Sequence, residues 1–415
     1  MIVVLILQLI VLALSAINAA ISAFFTVCVV LGAGPARHVL DGSTMVQTAQ
    51  ADENTPRTTV VIPAHNEQSV IGETLRLAKR DLPSGFQILV VADNCSDDTA
   101  SIVRNMSVRV LERNSEVERG KGFALAAAFQ HLAMDSQPPE VAIVLDADSR
   151  FDAPDTSIAL AQFASACLRQ NRPLQMISLL DLPAPSSVRQ RIAAFAFRVK
   201  GLLRNAGLHR IGGGCSLGGT GMAFPFELVK VQHFETSETV EDMRLGIELA
   251  LAGVVPRYFL GCSVRSPIPA SETGFVSQRT RWEQGHIRMI ARYGLLLLVK
   301  GLRSWPILLM GADLSVPPLS LHTLLTGAMW CVSLLAFLFG WWFGSWIIGA
   351  LALSLTSISV LCMLSGVLVA KRAVGQGVLE PGDLGQTLHY ALSKVGIYAR
   401  TLWKRERRWV RTERM

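Results

Sequence analysis

The sequence predicts an α/β domain built around a parallel sheet, with membrane helices before and after it along the chain. Between residues 57 and 286, short apolar runs rich in β-branched residues alternate with helical patterns, which is typical of a doubly wound sheet with right-handed crossovers. Several of these runs end on polar residues. On either side of them, residues 1–34 and 319–370 are strongly apolar and carry no Asp, Glu, Lys or Arg.

The N-terminal segment, residues 1–34, predicts a transmembrane helix, because about 20 apolar residues suffice to cross a bilayer. A cleaved signal peptide is the alternative. It is disfavoured because the segment has no basic n-region and its apolar stretch is far longer than the roughly 7–15 residues of an h-region. Residues 35–56, which contain Gly, Ser, Thr and acidic side chains, predict a polar linker.

Two strands with polar ends open the predicted domain. The β-branched run Thr58–Pro63 predicts a buried strand, and Glu67 soon after it opens a helical pattern. Phe86–Ala92 predicts a second buried strand, which ends at Asp93. A short third strand follows at Val108–Leu111.

The apolar run Val141–Leu145 stops at two aspartates, Asp146 and Asp148, that are separated by one residue. Before it, Lys121 lies in an RGKG sequence that predicts a loop into the helix Phe123–Leu132. Carboxylate oxygens are hard ligands that suit Mg²⁺ or Mn²⁺, which bridge one or two carboxylates to the phosphates of a substrate. The alternative is a strand end with two solvated turn aspartates, since the pattern is common.

Polar side chains thus follow three predicted strands, at Glu67, Asp93 and the Asp146/Asp148 pair. The carboxyl ends of parallel strands meet at one edge of a sheet, and ligands of open α/β sheets bind in the crevice outside that edge. The sequence therefore predicts a ligand site that these carboxylates share.

The glycine-rich stretch Ile211–Gly221 permits two interpretations. A phosphate cradle of the dinucleotide type is one, but the stretch lacks GxGxxG and follows no clear strand. The favoured interpretation is that its glycines let the backbone approach a bound sugar, with Gly219, Thr220 and Gly221 lining the site.

A helix is predicted at Glu238–Leu251, with Thr239 as N-cap and the acidic pair Glu241 and Asp242 in its first turn. Asp242 is a candidate catalytic carboxylate. The alternative is structural, because acidic residues favour the positive end of the macrodipole in any helix.

Further along, Gln278, Arg281 and Trp282 form a QxxRW sequence. Its structural interpretation is a basic amphipathic helix with Trp282 anchored at the membrane interface. Residues 287–318 predict amphipathic helices in that interface, because basic residues recur in an apolar segment. Residues 319–370 predict a transmembrane hairpin, and an extra span that begins near Trp305 is left open.

The basic tail, residues 371–415, sets the predicted orientation. Positive-inside places this tail, and with it the central domain, in the cytoplasm at the inner (plasma) membrane. The formal net charge of +7 fits attraction to membrane lipids. No nucleic-acid recognition motif is present. The seven cysteines are scattered without a CxxC pair, which argues against a disulfide framework and a zinc site.

Taken in order, Asp93, Asp146-x-Asp148, Glu241-Asp242 and Gln278-x-x-Arg281-Trp282 resemble the signature of membrane-embedded family 2 glycosyltransferases. Cellulose, chitin and hyaluronan synthases are members of this kind. The resemblance covers roughly residues 57–286. It implies a GT-A fold (Rossmann-like), a nucleotide-sugar donor that is usually UDP-linked, and Mg²⁺ or Mn²⁺ as cofactor.

The resemblance also implies roles for individual residues on the donor side. Glu67 and Asp93 would contact the base and ribose, and Asp146 would lie against the nucleotide. Asp148 would hold the metal on the diphosphate. The remaining donor-side candidates are two cations, Arg281 on the diphosphate and Lys121 on the nucleotide.

On the acceptor side, Asp242 matches the base that removes the proton of the acceptor hydroxyl. The implied acceptor-binding residues are Gly219, Thr220, Gly221, Glu241, Gln278 and Trp282. The first aspartate lies in ADNCSDDT rather than the commoner DDGS form, and the acidic pair is in VED rather than TED. The membrane part is smaller than in cellulose synthase, so an export channel would require an oligomer or an export partner.

The expected function is inverting transfer of a sugar to a growing saccharide or glycolipid acceptor, in cell-surface polysaccharide synthesis. Two alternatives stay open. One is transfer of a single sugar to polyprenyl phosphate or a glycolipid, although such transferases usually lack QxxRW. The other is a non-catalytic membrane subunit that only binds a nucleotide-sugar, against which the intact Asp242 argues.

Overall fold

The structure, a computed structural model, describes residues 2–42, 55–230, 240–342, 344–396 and 398. The predicted N-cap Thr239 lies outside the described residues, as do residue 397 and residues 399–415 of the basic tail.

Eight strands form one sheet in the described part of the chain. They are β1 (Thr58–Ala64), β2 (Gln87–Asp93), β3 (Arg109–Arg113), β4 (Val141–Val144), β5 (Arg150–Asp152), β6 (Leu174–Asp181), β7 (Met222–Pro225) and β8 (Arg257–Pro267). Their spatial order is β3-β2-β1-β4-β7-β6-β8-β5. The first four strands of this order are parallel, as predicted.

The second half of the sheet corrects the prediction of a wholly parallel sheet. Strand β7 is antiparallel to both β4 and β6, and β5 is antiparallel to β8, so the sheet is mixed. A parallel neighbour needs a crossover of a dozen or more residues. Only a few residues separate β4 from β5, so β5 cannot become a parallel neighbour of β4. It pairs instead with β8, at the far edge of the sheet.

The helices alternate with the strands and then continue into the C-terminal region. They are α1 (Ile2–Leu40), α2 (Ile71–Asp81), α3 (Thr99–Asn105), α4 (Lys121–Ala133), α5 (Thr156–Gln170), α6 (Val188–Arg198), α7 (Asn205–Arg210), α8 (Phe226–Val229), α9 (Glu241–Leu251), α10 (Glu272–Gly301), α11 (Trp305–Ser315), α12 (Leu319–Trp342), α13 (Trp346–Val374) and α14 (Thr387–Ser393). A π-helical segment, Val199–Arg204, joins α6 to α7. A short 3-10 turn, Asp383–Gln386, precedes α14.

Both faces of the parallel half of the sheet are covered, which explains its continuous apolar strands. Val60 and Ile62 pack in one core with Leu75 of α2. Val61, which lies between them, packs in a second core with Phe129 of α4. Alternate side chains of one strand therefore stabilise opposite layers, and the carboxyl ends of β1, β2 and β4 are held in register.

Three helices, α1, α12 and α13, are long and apolar enough to cross a membrane. Hydrogen bonds join them, from Ser22 Oγ to His322 Nε2 (2.9 Å) and from Thr26 Oγ1 to the carbonyl oxygen of Cys362 (2.7 Å). Polar contacts of this kind stabilise helix pairs in lipid. Helix α11 has 11 residues, which is too short for the extra span left open near Trp305.

Two helix boundaries differ from the predictions. Helix α1 continues through Pro35 to Leu40, beyond the predicted end of the span at residue 34. Helix α10 begins at Glu272, so the QxxRW sequence lies within this helix, whereas the interfacial region was predicted to begin only at residue 287.

Close helix contact seats the α/β domain on α1. A Cβ atom at Gly207 of α7 would overlap the backbone of Cys28, and one at Gly32 would overlap the carbonyl oxygen of Leu203. Glycine is required at both positions because the backbones approach without room for a side chain. The C-terminal part of α1 is thereby fixed beside the π-helical segment.

Candidate active site

One cavity of about 430 Å³ runs from the carboxyl ends of β1, β2 and β4 to α1 and α12, which are able to span a membrane. We call its two parts the sheet end and the membrane end. The sheet end is lined by Glu67, Asp93, Lys121, Asp146, Asp148, Gly219 and Asp242. The membrane end is lined by Phe25, Phe197, Val199, Lys200, Val316, Leu319 and Tyr390. Gln278, Arg281 and Trp282 also line the cavity, from α10.

Asp93 closes β2 and is held in place by its neighbours. It is buried, and its Oδ1 accepts hydrogen bonds from Arg113 Nη1 (2.8 Å) and Asn94 Nδ2 (3.1 Å). Asn94 has a positive φ of 52°, a conformation that Asn tolerates better than most residues. The turn after β2 thus directs a fixed carboxylate toward the cavity.

Glu67 lies in the turn between β1 and α2, not in the helix that the sequence predicted to begin there. The backbone N–H groups of Val70 and Ile71 donate to its carbonyl oxygen, and its own N–H donates to Thr99 Oγ1 (2.8 Å). Asn66 before it has a φ of 55°, so the chain turns sharply. As a result, Glu67 stays at the strand end and lines the cavity.

Lys121 is the first residue of α4, which corrects its predicted place in a loop. Its Nζ forms an ion pair with Asp146 and donates to the carbonyl oxygen of Gly219 (2.5 Å). Burial by itself lowers the pKa of this ammonium, but the carboxylates of Asp146, Glu241 and Asp242 outweigh burial, so the pKa is raised. Lys121 therefore stays charged and balances this carboxylate group.

Asp146 is occupied by Lys121, so the metal-binding prediction rests on Asp148. Ser149 Oγ donates to Asp148 Oδ1 at 3.4 Å, and the side chain is half-buried in the cavity wall. The described residues contain no cluster of three or more His, Cys, Asp or Glu that could hold a metal alone. One carboxylate at a cavity wall fits a hard cation whose remaining ligands are phosphate oxygens and water.

Glu241 and Asp242 begin α9 and face the cavity. The N–H of Met243 donates to Asp242 Oδ1 at 2.8 Å. Burial raises the pKa of Asp242, and Lys121 opposes this only in part. Burial and the charge of Asp242 also raise the pKa of Glu241. A carboxylate with a raised pKa is a stronger base near neutral pH than a solvated aspartate.

The glycine-rich stretch lines the cavity as far as Thr220 and then enters the sheet. Gly219 has a φ of 82°, and a Cβ there would lie 3.0 Å from Asp242 Oδ2, so a glycine is needed for this close approach. Thr220 Oγ1 accepts from the N–H of Asp146 (3.1 Å). Gly221 does not line the cavity, contrary to the prediction, because its N–H donates to the carbonyl of Val144 (2.9 Å) and extends the sheet.

Helix α10 brings the QxxRW side chains to the cavity wall. The Trp282 ring packs on Phe197, with centroids 5.7 Å apart and planes inclined by 34°, and the Arg279 guanidinium lies 5.6 Å from its centroid. Gln278 Oε1 is buried and has no hydrogen-bond partner among the described residues. A buried oxygen without a hydrogen-bond partner is available to accept a hydrogen bond from a ligand in the cavity.

A model described as glycosyltransferase like family 2 matches residues 56–285, which is more than half of the chain. The chain belongs to glycosyltransferase family 2. Its α/β fold is of the GT-A type, with helices able to span a membrane in the N- and C-terminal regions, so the predicted fold class is confirmed.

Several curated relatives of this family 2 chain match it over short stretches. Probable glycosyltransferase YdaM of Bacillus subtilis is 35% identical over 102 residues, which cover 23% of this chain and 23% of the relative. Uncharacterized protein MJ1222 of Methanocaldococcus jannaschii is 33% identical over 111 residues, 26% of this chain and 43% of the relative. The chain thus spans less than half the length of these relatives.

Solved structures of similar fold share little sequence with the chain. The mannosyltransferase PcManGT of Pyrobaculum calidifontis, solved with GDP-Man and Mn²⁺, has a TM-score of 0.49 and 17% identity, covering 95% of this chain and 100% of that one. TarS 1-349 of S. aureus, solved with UDP-GlcNAc, has a TM-score of 0.38 and 15% identity, covering 65% and 86%.

The cavity of this glycosyltransferase is also lined by residues that were not predicted from the sequence, among them Lys200, Arg204, His286, Asp313 and Lys394. Arg204 Nε donates to Asp313 Oδ1 at 2.9 Å, and Lys394 Nζ donates to Glu283 at 2.5 Å. Each pair joins segments that are distant in sequence. The available signal was that basic residues, Lys200 and Arg204 among them, recur in a largely apolar segment before the glycine-rich stretch.

Proposed function

We propose that the chain is a metal-dependent, inverting glycosyltransferase of the synthase type, which transfers a sugar from a UDP-linked donor to a saccharide or glycolipid acceptor. One observation carries this proposal. Asp93, Asp148, Asp242 and Arg281, which are distant in sequence, line the same cavity. Had they faced separate regions, no common donor and acceptor site would be available.

On the donor side, Glu67 and Asp93 would contact the base and ribose, and Asp148 would hold the cation. Mg²⁺ or Mn²⁺, when bound, would stabilise the charge that develops on the diphosphate leaving group. Arg281 would stabilise the same charge from the cavity wall, since a guanidinium binds phosphate oxygens bidentately.

On the acceptor side, Asp242 would accept the proton of the attacking hydroxyl, whose oxygen forms the new glycosidic bond as the bond to the diphosphate breaks. Direct attack inverts the anomeric centre, so no nucleophilic residue is required. Glu241, Gln278 and Trp282 would orient the acceptor beside this base. The raised pKa of Asp242 supports the role of base.

The proposed location is the inner membrane, with the α/β domain in the cytoplasm. Basic residues occupy the last turns of α1 (Arg37) and of α13 (Lys371 and Arg372), and Thr26 of α1 contacts Cys362 of α13. The two helices are therefore side by side with their basic ends together, which supports a cytoplasmic assignment of that end. A role in cell-surface polysaccharide synthesis would then require an oligomer or a partner for export.

The test is a hydrolysis screen of the purified full-length chain with a panel of UDP-, GDP- and other nucleotide-linked sugars, with Mn²⁺, Mg²⁺ or EDTA. Release of nucleoside diphosphate from one donor, lost in EDTA, is expected. No release from any donor, with nucleotide binding retained, would favour the non-catalytic subunit instead. Product length then separates a polymerase, which gives a ladder, from single transfer, which gives one band.

A further inference from the structure

The membrane end of the cavity reaches the level of the membrane helices. Its wall includes Phe25 of α1 and Leu319 at the start of α12. The Phe25 ring meets the ring of His322 of α12 edge-on, with centroids 5.8 Å apart. A molecule in this part of the cavity would therefore contact two helices that are able to span a membrane.

The wall of the membrane end contains several apolar side chains. Leu179, Phe197, Val199 and Val316 line it together with Phe25. Contact with such side chains stabilises hydrocarbon rather than free sugar, since burial of apolar surface is the favourable term. Arg204 and Asp313, which also line the cavity, form an ion pair with each other, and the sheet end is lined by carboxylates and cations.

Lys200 is a half-buried cation in this apolar wall, on the π-helical segment. Its Nζ contacts His286 Nδ1 at 3.4 Å, and His286 Nε2 contacts the carbonyl oxygen of Leu314 at 3.1 Å. The carbonyl only accepts, so we assign the ring proton to Nε2, and Nδ1 accepts from the ammonium. The imidazole is neutral, since burial and the charge of Lys200 lower the pKa of His286.

No carboxylate among the described residues forms an ion pair with Lys200. Other cations of the cavity wall have such partners: Lys121 with Asp146, Arg204 with Asp313, and Arg279 and Lys394 with Glu283. An ammonium has three N–H donors, and His286 takes one of them. As far as the described residues show, two donors of Lys200 therefore remain for a ligand.

The local backbone holds Lys200 at this position. Val199–Arg204 is π-helical, an uncommon conformation that occurs frequently at functional sites. Arg204, at the end of this segment, is buried against Asp313 of α11. The pair fixes the segment between α1 and α11, so the ammonium is presented to the cavity rather than to solvent.

We propose that the membrane end binds a lipid-linked saccharide acceptor, with its phosphate on Lys200 and its lipid chain along the apolar wall toward Phe25 and Leu319. This assignment rests on the proposed function. The sugar hydroxyl of such an acceptor would extend along the same cavity to Asp242. An anion on Lys200 compensates a charge that is costly to bury alone.

The test measures binding of radiolabelled polyprenyl phosphate to the full-length chain in phosphatidylcholine nanodiscs, without donor. We expect it to bind about tenfold tighter than uncharged polyprenol of the same length, as a charge-assisted hydrogen bond would give. Lys200→Met should abolish this preference. Lys200→Arg, which keeps a cation, and Lys79→Met, at an exposed lysine outside the cavity wall, should retain it.

Equal affinity for polyprenol and polyprenyl phosphate in the unmodified chain overturns the proposal without any variant, so a variant that fails to fold does not block the test. Retention of the phosphate preference by Lys200→Met also overturns it. Competition by phosphatidylglycerol as strong as by polyprenyl phosphate identifies a bilayer headgroup site, and equal competition by inorganic phosphate identifies a free-phosphate site; either result contradicts an acceptor site. A failed hydrolysis screen leaves this donor-free readout unaffected.

Discussion

The two ends of the cavity are built in different ways. The sheet end takes its charged side chains from the last residue of β2, from the turns after β1 and β4, and from the first turns of α4 and α9. Lys121 and Asp146 pair directly there. The membrane end is formed by a π-helical segment, the start of α12 and a residue of α1, with Lys200 contacting a neutral imidazole. The first arrangement suits bond making and breaking, and the second suits retention of a particular acceptor.

Among changes at the sheet end, Asp242→Asn should have the largest effect on the rate of sugar transfer. Loss of a general base typically costs about 10²–10⁴-fold in rate, so sugar transfer should fall by that factor while nucleotide binding is kept. The pKa of Asp242 is raised in the folded protein, so this side chain binds a proton more readily there than in the unfolded chain. Its ionised form therefore lowers the free energy of unfolding at neutral pH. The melting temperature of the variant at pH 7 should therefore not fall.

The control for this variant is Asp155→Asn. Asp155 caps α5 by accepting from the N–H of Ile158 (3.1 Å), and Asn caps equally well. Transfer by the control should match the unmodified chain. Full activity of Asp242→Asn would remove the proposed mechanism.

Arg204→Met, at the membrane end, should lower the free energy of unfolding. It leaves the buried carboxylate of Asp313 without its cation, which typically costs about 3–5 kcal/mol in the free energy of unfolding. Denaturant unfolding in detergent measures this loss. The double variant Arg204→Met/Asp313→Leu removes both charges and should recover most of it, and failure to recover would mean that the pair is not the cause.

Gly219→Ala should lower kcat by about 10²-fold, because a Cβ 3.0 Å from Asp242 Oδ2 displaces the proposed base. Gly85→Ala is the matched control, since Gly85 has a φ of 91° and open space around a Cβ. Both variants incur backbone strain of about 1–2 kcal/mol. If both lose activity equally, the contact with Asp242 is not responsible.

The pH profile should show the smallest effect. The raised pKa of Asp242 means that transfer is lost as the pH falls, and that the acidic limb lies above the range of a solvated aspartate. Lys121→Met removes a cation that lowers this pKa, so the limb should move to higher pH. A profile of kcat against pH for both proteins checks this, and a limb that stays in place or moves down contradicts it.

The parallel half of the sheet was predictable because each of its strands is a short apolar run followed by a helix. The antiparallel direction of β5 and β7 was not predictable. The connections before these strands are irregular and do not indicate direction, and antiparallel pairing depends on long-range contacts. Lys121 was predicted in a loop, since Gly120 and Gly122 suggest one, yet its ion pair with Asp146 accompanies a helix start. Local propensity is overridden there by a tertiary contact.

By itself, the sequence determined the α/β class, the apolar helices at both ends and the carboxylates at the strand ends, because periodicity, charge and strand termination are local properties of the chain. Only the tertiary structure decided that Lys121 neutralises Asp146, that Gly221 belongs to the sheet, and that Lys200 enters the cavity wall without a carboxylate partner among the described residues. These features depend on which distant side chains meet, and packing rather than local pattern determines that.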